Sequence, residues 1–308
     1  MQAPTPKEIA NAGDRIEPYV HRTPVLESHA LIDGRIIELK LENTQLTGSF
    51  KVRGAFNTLL TSDVPEAGVV AASGGNHGAA VAYAAGKLGH KATIFVPEVA
   101  GASKTALIRE TGADLHVVPG QYADALALAQ AFEAKTGAMQ IHAYDAPKTL
   151  AGQGNVMREW EAQYLASHTV LIAVGGGGLI GGALAWLEGR KDIVAVEPER
   201  APTLHAALEA GAPVDVEVGG IAANALGARR IGQLCFDLAV EHQVETVLVH
   251  DDAIAEAQAL LWRVCRQWVE PAGATALAAL ISGAYRPVTK ESVGVLVCGA
   301  NPAPGPFD

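Results

Sequence analysis

The sequence predicts an α/β protein, doubly wound around mostly parallel sheet. Two observations predict it. Short apolar runs rich in Val, Ile and Ala alternate with longer stretches of helical spacing, the order that builds parallel sheets through helical crossovers. Several of the short runs are also apolar at every position rather than at alternate ones, as strands buried on both faces must be. The amount of core material agrees: 49% apolar and 18% charged residues over 308 can fill a large interior and exclude a disordered chain. That length suits two domains or one large α/β unit.

In chain order the strands read as Arg35–Leu41, Val69–Ala72, Ala92–Val96, Asp114–Val118, Thr169–Val174, Ile193–Glu197 and Val293–Val297. Helical patterns between them include His77–Leu88, Ser103–Thr111, Ala123–Thr136 and Ala272–Ser282. One run of strand–helix units closes near Asp145–Pro147, where a domain boundary is expected, and a glycine-rich segment follows. No solenoid repeat or low-complexity linker is visible. The tail Asn301–Asp308 carries three prolines and cannot continue a helix.

With 23 basic and 33 acidic residues the formal charge is −10. A net-negative chain without a basic run is a poor binder of nucleic acid or anionic membrane, so a small ligand in a local pocket is expected. Cys235, Cys265 and Cys298 form no C-x-x-C pair, which favours a reducing cytoplasm over a disulfide framework. The start MQAPTPKEIA lacks a signal pattern. Thr169–Leu187 is uncharged and long enough to raise a membrane alarm, but four consecutive glycines interrupt it, which a spanning helix tolerates badly. A soluble chain is expected.

Four stretches carry candidate chemistry. In GSFKVRGAF (48–56), Lys51 follows a Thr-Gly-Ser-Phe turn and opens a helical pattern. An amine desolvated at such a junction becomes a nucleophile towards an aldehyde; spacing alone favours an ordinary solvated lysine, as most lysines are. In ASGGNHGAAVAYAAGKLG (72–89) a strand ends and a small-residue helix begins. Free N–H groups there make an anion site, and Asn76 offers an amide to a ring oxygen or is a plain helix cap. In VGGGGLIGG (174–182) the glycines suit a loop whose N–H groups converge on a phosphate. Gly176-x-Gly178-x-x-Gly181 with Glu197 beyond it also satisfies a dinucleotide fingerprint, so a nicotinamide-cofactor oxidoreductase is the rival reading. In VLVCGAN (295–301) a strand ends at Cys298, facing the crevice that such sheets use for ligands or simply buried. Zinc-protease, nucleophile-elbow and EF-hand patterns are absent, and the ten histidines include no pair four apart.

Together, and in this order, these stretches resemble the fold-type II pyridoxal-phosphate enzymes, in the serine/threonine dehydratase and serine racemase branch. The resemblance runs over nearly the whole chain. It also includes HRTPV (21–25), AGQG (151–154), the Val-Glu-Pro at Val196–Pro198 and at Val269–Pro271, and CGAN (298–301). The dinucleotide reading leaves Lys51 and the Asn76 loop without a role; the resemblance uses every piece. It implies two open, twisted, mostly parallel sheets with helices on both faces. It places a large cofactor domain over residues 1–63 and 146–308 and a small domain over 64–145.

The resemblance also implies roles. Lys51 would hold pyridoxal phosphate through its amine and act as the Cα base, with Phe50 flanking the ring. Asn76 would bond the phenolic oxygen, while Ser73, Gly74, Asn76 and His77 line the substrate carboxylate site. Gly175, Gly176, Gly177, Gly178 and Leu179 would cradle the phosphate, and Cys298 would face the pyridine nitrogen. The implied reaction is ammonia elimination from a β-hydroxy amino acid such as L-serine or L-threonine, giving a 2-oxo acid. Serine racemase and 3-hydroxyaspartate dehydratase are the alternatives within the family.

Relatives often bind a divalent cation at positions matching Glu197, Ala201 and Thr203, but Thr203 stands where they have a second acid. Weak or absent cation dependence is therefore expected. Gly74 stands where racemases carry a serine, and Tyr144-Asp145 ahead of Pro147 follows the dehydratase pattern, so elimination is expected over racemisation. A homodimer without an appended regulatory domain is also expected.

Overall fold

The computed structural model describes residues 1–98, 102–120, 122–288 and 292–301; most of the proline-bearing tail lies outside them. The chain opens with α1 (Pro6–Ile16), β1 (Val25–Ser28), β2 (Ile37–Leu41), α2 (Lys51–Leu60), β3 (Val69–Ala72) and α3 (Asn76–Lys87). It continues through β4 (Ala92–Pro97), α4 (Ala102–Glu110), β5 (Asp114–Val118), α5 (Tyr122–Thr136), β6 (Met139–Gln140) and α6 (Pro147–Glu161). Then come β7 (Thr169–Ala173), α7 (Gly178–Leu187), β8 (Asp192–Pro198), α8 (Thr203–Ala210), α9 (Ala223–Leu226) and α10 (Gln233–Glu241). The last elements are β9 (Glu245–Val249), α11 (Asp251–Leu260), α12 (Pro271–Ile281) and β10 (Val293–Val297).

These strands build two sheets. One has six strands in the order β1-β2-β10-β7-β8-β9, the other four in the order β5-β4-β3-β6. Every pairing is parallel except β1 with β2. The unbroken apolar runs have the expected cause: β3, β7 and β10 are buried at every position. The expected strands appear with ends shifted by at most two residues, because exposed Ile36 stays outside β2. Three strands escaped the sequence reading. β1 is four residues long, β6 two, and β9 alternates in burial.

The main core packs β7 and β10 (Val170, Leu171, Ile172, Val295, Leu296) against Trp160 of α6, Ile180 of α7 and Leu277 of α12. A second core fills the space between α2, α3 and the four-stranded sheet through Val52, Phe56, Val81 and Ile94. Both sheets therefore direct the C-terminal ends of central strands (β3, β7 and β10) into loops, where open α/β sheets place their ligands. No helix among the described residues is long and apolar enough to cross a membrane.

Candidate active site

The turn before α2 shapes the first wall. Thr47 and Gly48 have φ of 60° and 72°, a left-handed pair that glycine adopts freely and threonine only when held. It is held: Gly48 O accepts from Ala300 N at 2.8 Å, and Ser49 bridges Gly299. Phe50 caps α2 and Lys51 is its first residue. The Lys51 amine donates to Ala143 O at 2.9 Å and lies 5.2 Å from the centre of the Phe50 ring. Burial lowers its pKa from 10.5 to about 8, against the pull of Cys298 and Glu270. The surface-lysine alternative fails on this geometry.

Buried ion pairs anchor the first turn of α2. Arg53 is 1% exposed and pairs with Glu42 at 2.7 and 2.8 Å and with Glu159 at 3.0 Å. Glu159 also accepts from the buried Lys40 amine at 2.6 Å. Neither Arg53 nor this cluster stood out in the sequence, because a lone charged residue in a helical pattern gives no sign of what it meets.

The second wall is the loop between β3 and α3. Gly75, not Asn76, is the N-cap of α3, and no side chain caps it. The plain-cap reading of Asn76 is thereby overturned: its amide donates to Glu270 Oε1 and accepts from Asn301 Nδ2 at 2.8 Å. Ser73 Oγ accepts from Gly75 N at 3.2 Å, and Gly74 is buried. The His77 ring lies 2.9 Å from Ile141 O through Nε2, and burial holds its pKa down at about 3. That imidazole is neutral and engaged, which leaves its backbone position at the start of α3 as what it can offer an anion.

The third wall is the glycine loop between β7 and α7. Gly177 caps α7 at φ 91°, a conformation that a side chain would strain. The unpaired N–H groups of the first turn of α7 follow it. The Thr203 hydroxyl lies 2.6 Å from Gly175 O and 3.0 Å from Glu197 Oε1. Glu197 also accepts from Leu204 N and His205 N, both at 2.8 Å, and burial raises its pKa to about 7. Ala201 is fully buried beside it. Glu197, Ala201 and Thr203, expected as cation positions, are thus adjacent, but Glu197 spends both oxygens at the start of α8. No group of three His, Cys, Asp or Glu side chains able to hold a metal occurs among the described residues.

One pocket joins these walls. Phe50, Lys51, Asn76, Gly175, Gly176, Gly177, Gly178, Leu179 and Cys298 all line it, as do Glu270 and Ala225, which sequence reasoning missed. Glu270 sat in view within Val269–Pro271, but nothing in a single sequence says which acid turns inward. Cys298 is 4% exposed, its thiol 3.4 Å from Ala272 O, and burial pushes its pKa far up. A wider cleft at the opposite, N-terminal ends of β7, β8 and β9, around Lys191 and His242, has no comparable convergence of an amine with a glycine loop. Pyridoxal phosphate fits what the residues offer. A desolvated amine suits its aldehyde, a helix start without side chains suits its phosphate, and a protonated thiol suits a neutral ring nitrogen.

The comparisons agree. The family described as pyridoxal-phosphate dependent enzyme matches residues 16–299. The chain is 34% identical over 300 residues to phenylserine dehydratase from Ralstonia pickettii, covering 95% of this chain and 92% of that one. It is 34% identical over 304 residues to L-threonine ammonia-lyase from Thermotoga maritima, covering 96% and 75%. The structure of maize serine racemase superimposes with a TM-score of 0.93 at 31% identity, covering 99% and 96%. With the family matched over most of its length, the dinucleotide reading falls, and the chain belongs to the pyridoxal-phosphate dependent enzymes of fold type II.

Proposed function

We propose that this enzyme is an ammonia-lyase that converts a β-hydroxy amino acid, such as L-serine or L-threonine, to a 2-oxo acid and ammonia. The carrying observation is the Lys51 amine, held near a pKa of 8 in one pocket with a glycine loop and the protonated Cys298 thiol. The names of its dehydratase and ammonia-lyase relatives support the substrate class.

Pyridoxal phosphate, when bound, supplies an electron-withdrawing ring that acidifies the substrate Cα–H. Lys51 would anchor the cofactor at rest and take the Cα proton during turnover, while the β-hydroxyl would leave as water with a proton from the cofactor phosphate, as the family resemblance implies. A pKa near 8 leaves enough free amine at neutral pH for both tasks. Cys298, kept as a thiol, cannot hold a ring nitrogen protonated as a carboxylate would. That favours loss of the β-hydroxyl over a long-lived carbanion. Gly175, Gly176, Gly177, Gly178 and Leu179 would bind the phosphate, Phe50 would flank the ring and Asn76 would bond its phenolic oxygen. The substrate carboxylate would meet the loop of Ser73 and Gly74 and the start of α3 at Asn76 and His77.

The engaged oxygens of Glu197 favour a reaction that needs no divalent cation. A division into residues 1–63 with 146–308, and 64–145, follows the sheets, since β3 to β6 make one sheet by themselves. Three free cysteines suit the cytoplasm, and a homodimer rests on the family resemblance. The test is a visible spectrum of the purified protein during titration with β-hydroxy amino acids, beside assays for 2-oxo acid and ammonia. A yellow protein yielding both products supports the reading; a colourless one that pyridoxal phosphate does not colour contradicts it.

A further inference from the structure

The Asn76 amide lines the pocket with two unlike ends, an oxygen that only accepts and a nitrogen that only donates. Which end faces which neighbour is decided by hydrogen bonding. Here the decision begins outside the pocket, at Thr47. Its carbonyl oxygen can only accept, and Asn301 Nδ2 donates to it at 2.7 Å. That contact fixes Asn301 with its nitrogen inward. The same nitrogen donates to Asn76 Oδ1 at 2.8 Å. Asn76 must then present its own nitrogen on the other side, where Glu270 Oε1 accepts from it. The reverse orientation of Asn76 would set donor against donor at Asn301 and acceptor against acceptor at Glu270. Asn76 and Glu270 are 9% and 2% exposed, so water is a poor substitute for either partner. Thr47 and Asn301 also belong to the segments, joined at Ser49 and Gly299, that present Lys51 and Cys298.

We infer that Asn301 and Glu270 are positioning residues that set the polarity of the Asn76 amide. Through a relay starting at the Thr47 carbonyl, they leave the second hydrogen of Asn76 Nδ2 for an acceptor in the pocket. The inference deepens the proposed function and rests on it, since the acceptor it names is the phenolic oxygen of pyridoxal phosphate. Asn301 acts through Asn76, so its effect must vanish when Asn76 cannot respond.

The experiment compares the holoenzyme with Asn301→Leu, Asn76→Ala and the double variant by visible absorption, kcat and KM. Asn301→Asp is run beside them as a near-isosteric change that removes the donor and folds if the leucine variant does not. Loss of the donor is expected to move the cofactor's visible band and lower kcat about tenfold, the size of one hydrogen bond, with KM nearly unchanged. Adding Asn301→Leu to Asn76→Ala is expected to change neither band nor kcat further. An unmoved band in both Asn301 variants overturns the inference, as does a further shift in the Asn76→Ala background. A wild-type protein that gains no band from pyridoxal phosphate overturns the proposed function and this inference together, whereas the other two failures leave the function standing.

Discussion

The Lys51 amine and the Ala143 carbonyl oxygen lie 2.9 Å apart, so the start of α2 touches the segment that closes over the glycine loop. That segment continues into Tyr144, whose ring occupies the space where a side chain on Gly176 would go. The Lys51 amine and the glycine loop, more than a hundred residues apart in sequence, are thereby fixed against each other.

The amine's pKa gives a pH dependence with a definite sign. In the cofactor-free protein, neutral Lys51 increases as pH rises, with its midpoint at about 8. The rate at which pyridoxal phosphate colours the protein should follow that curve. Linkage adds a second effect: the fold holds the amine at about 8 and the unfolded chain near 10.5. The cofactor-free fold should therefore gain stability as pH rises between those values, and below about 8 carry the full cost of a buried ammonium. A stopped-flow pH series and thermal melts check the two parts. A loading midpoint near 10.5 would contradict this account of the amine.

Arg53→Leu should lower stability by about 3–5 kcal/mol, because it leaves the fully buried Glu42 carboxylate without its main partner. Combining it with Glu42→Leu should recover part of the loss. Chemical denaturation of the single and double variants reads this out.

Thr203→Val removes the hydroxyl that meets Gly175 O and Glu197. The loss should be about 1–3 kcal/mol of stability, with faster release of the cofactor on dialysis as the glycine loop loosens. Chelator should leave activity unchanged in the wild type. Inactivation reversed by magnesium or calcium would contradict the assignment of Glu197 to the start of α8.

Elimination should outrun racemisation. Inverting Cα needs a proton donor on the face opposite Lys51, and Gly74 brings no side chain to the loop before Asn76. With L-serine, pyruvate should form with little D-serine, by keto-acid assay beside chiral chromatography. Gly74→Ser should raise the share of D-serine. More D-serine than pyruvate from the wild type would reverse the assignment.

Much of this was legible in the sequence because the relevant signals are local. Unbroken apolar runs marked β3, β7 and β10 as doubly buried, and the run of glycines pointed to the loop that leads into α7. Lys51 was legible through its neighbours and the family resemblance they carry. What stayed hidden was long-range. Glu270 and Asn301 were visible within motifs, yet their meeting at Asn76 depends on the N-cap of α12 and the segment after β10 both reaching the first residue of α3. Arg53 finds Glu159 across 106 residues, a pairing that no periodicity encodes. The sequence does not say where the His77 imidazole points; the ring faces Ile141 O. The first residues of a helix share one loop, and only tertiary packing decides which side chain turns inward.

The central claim is that Lys51 carries the cofactor, and borohydride reduction of the holoenzyme followed by peptide mapping tests it most directly. The account predicts a single pyridoxyl label on the peptide containing Lys51, and a Lys51→Ala protein that takes up no label and turns over no substrate. A label on any other lysine, or a Lys51→Ala variant that keeps its turnover, would contradict it.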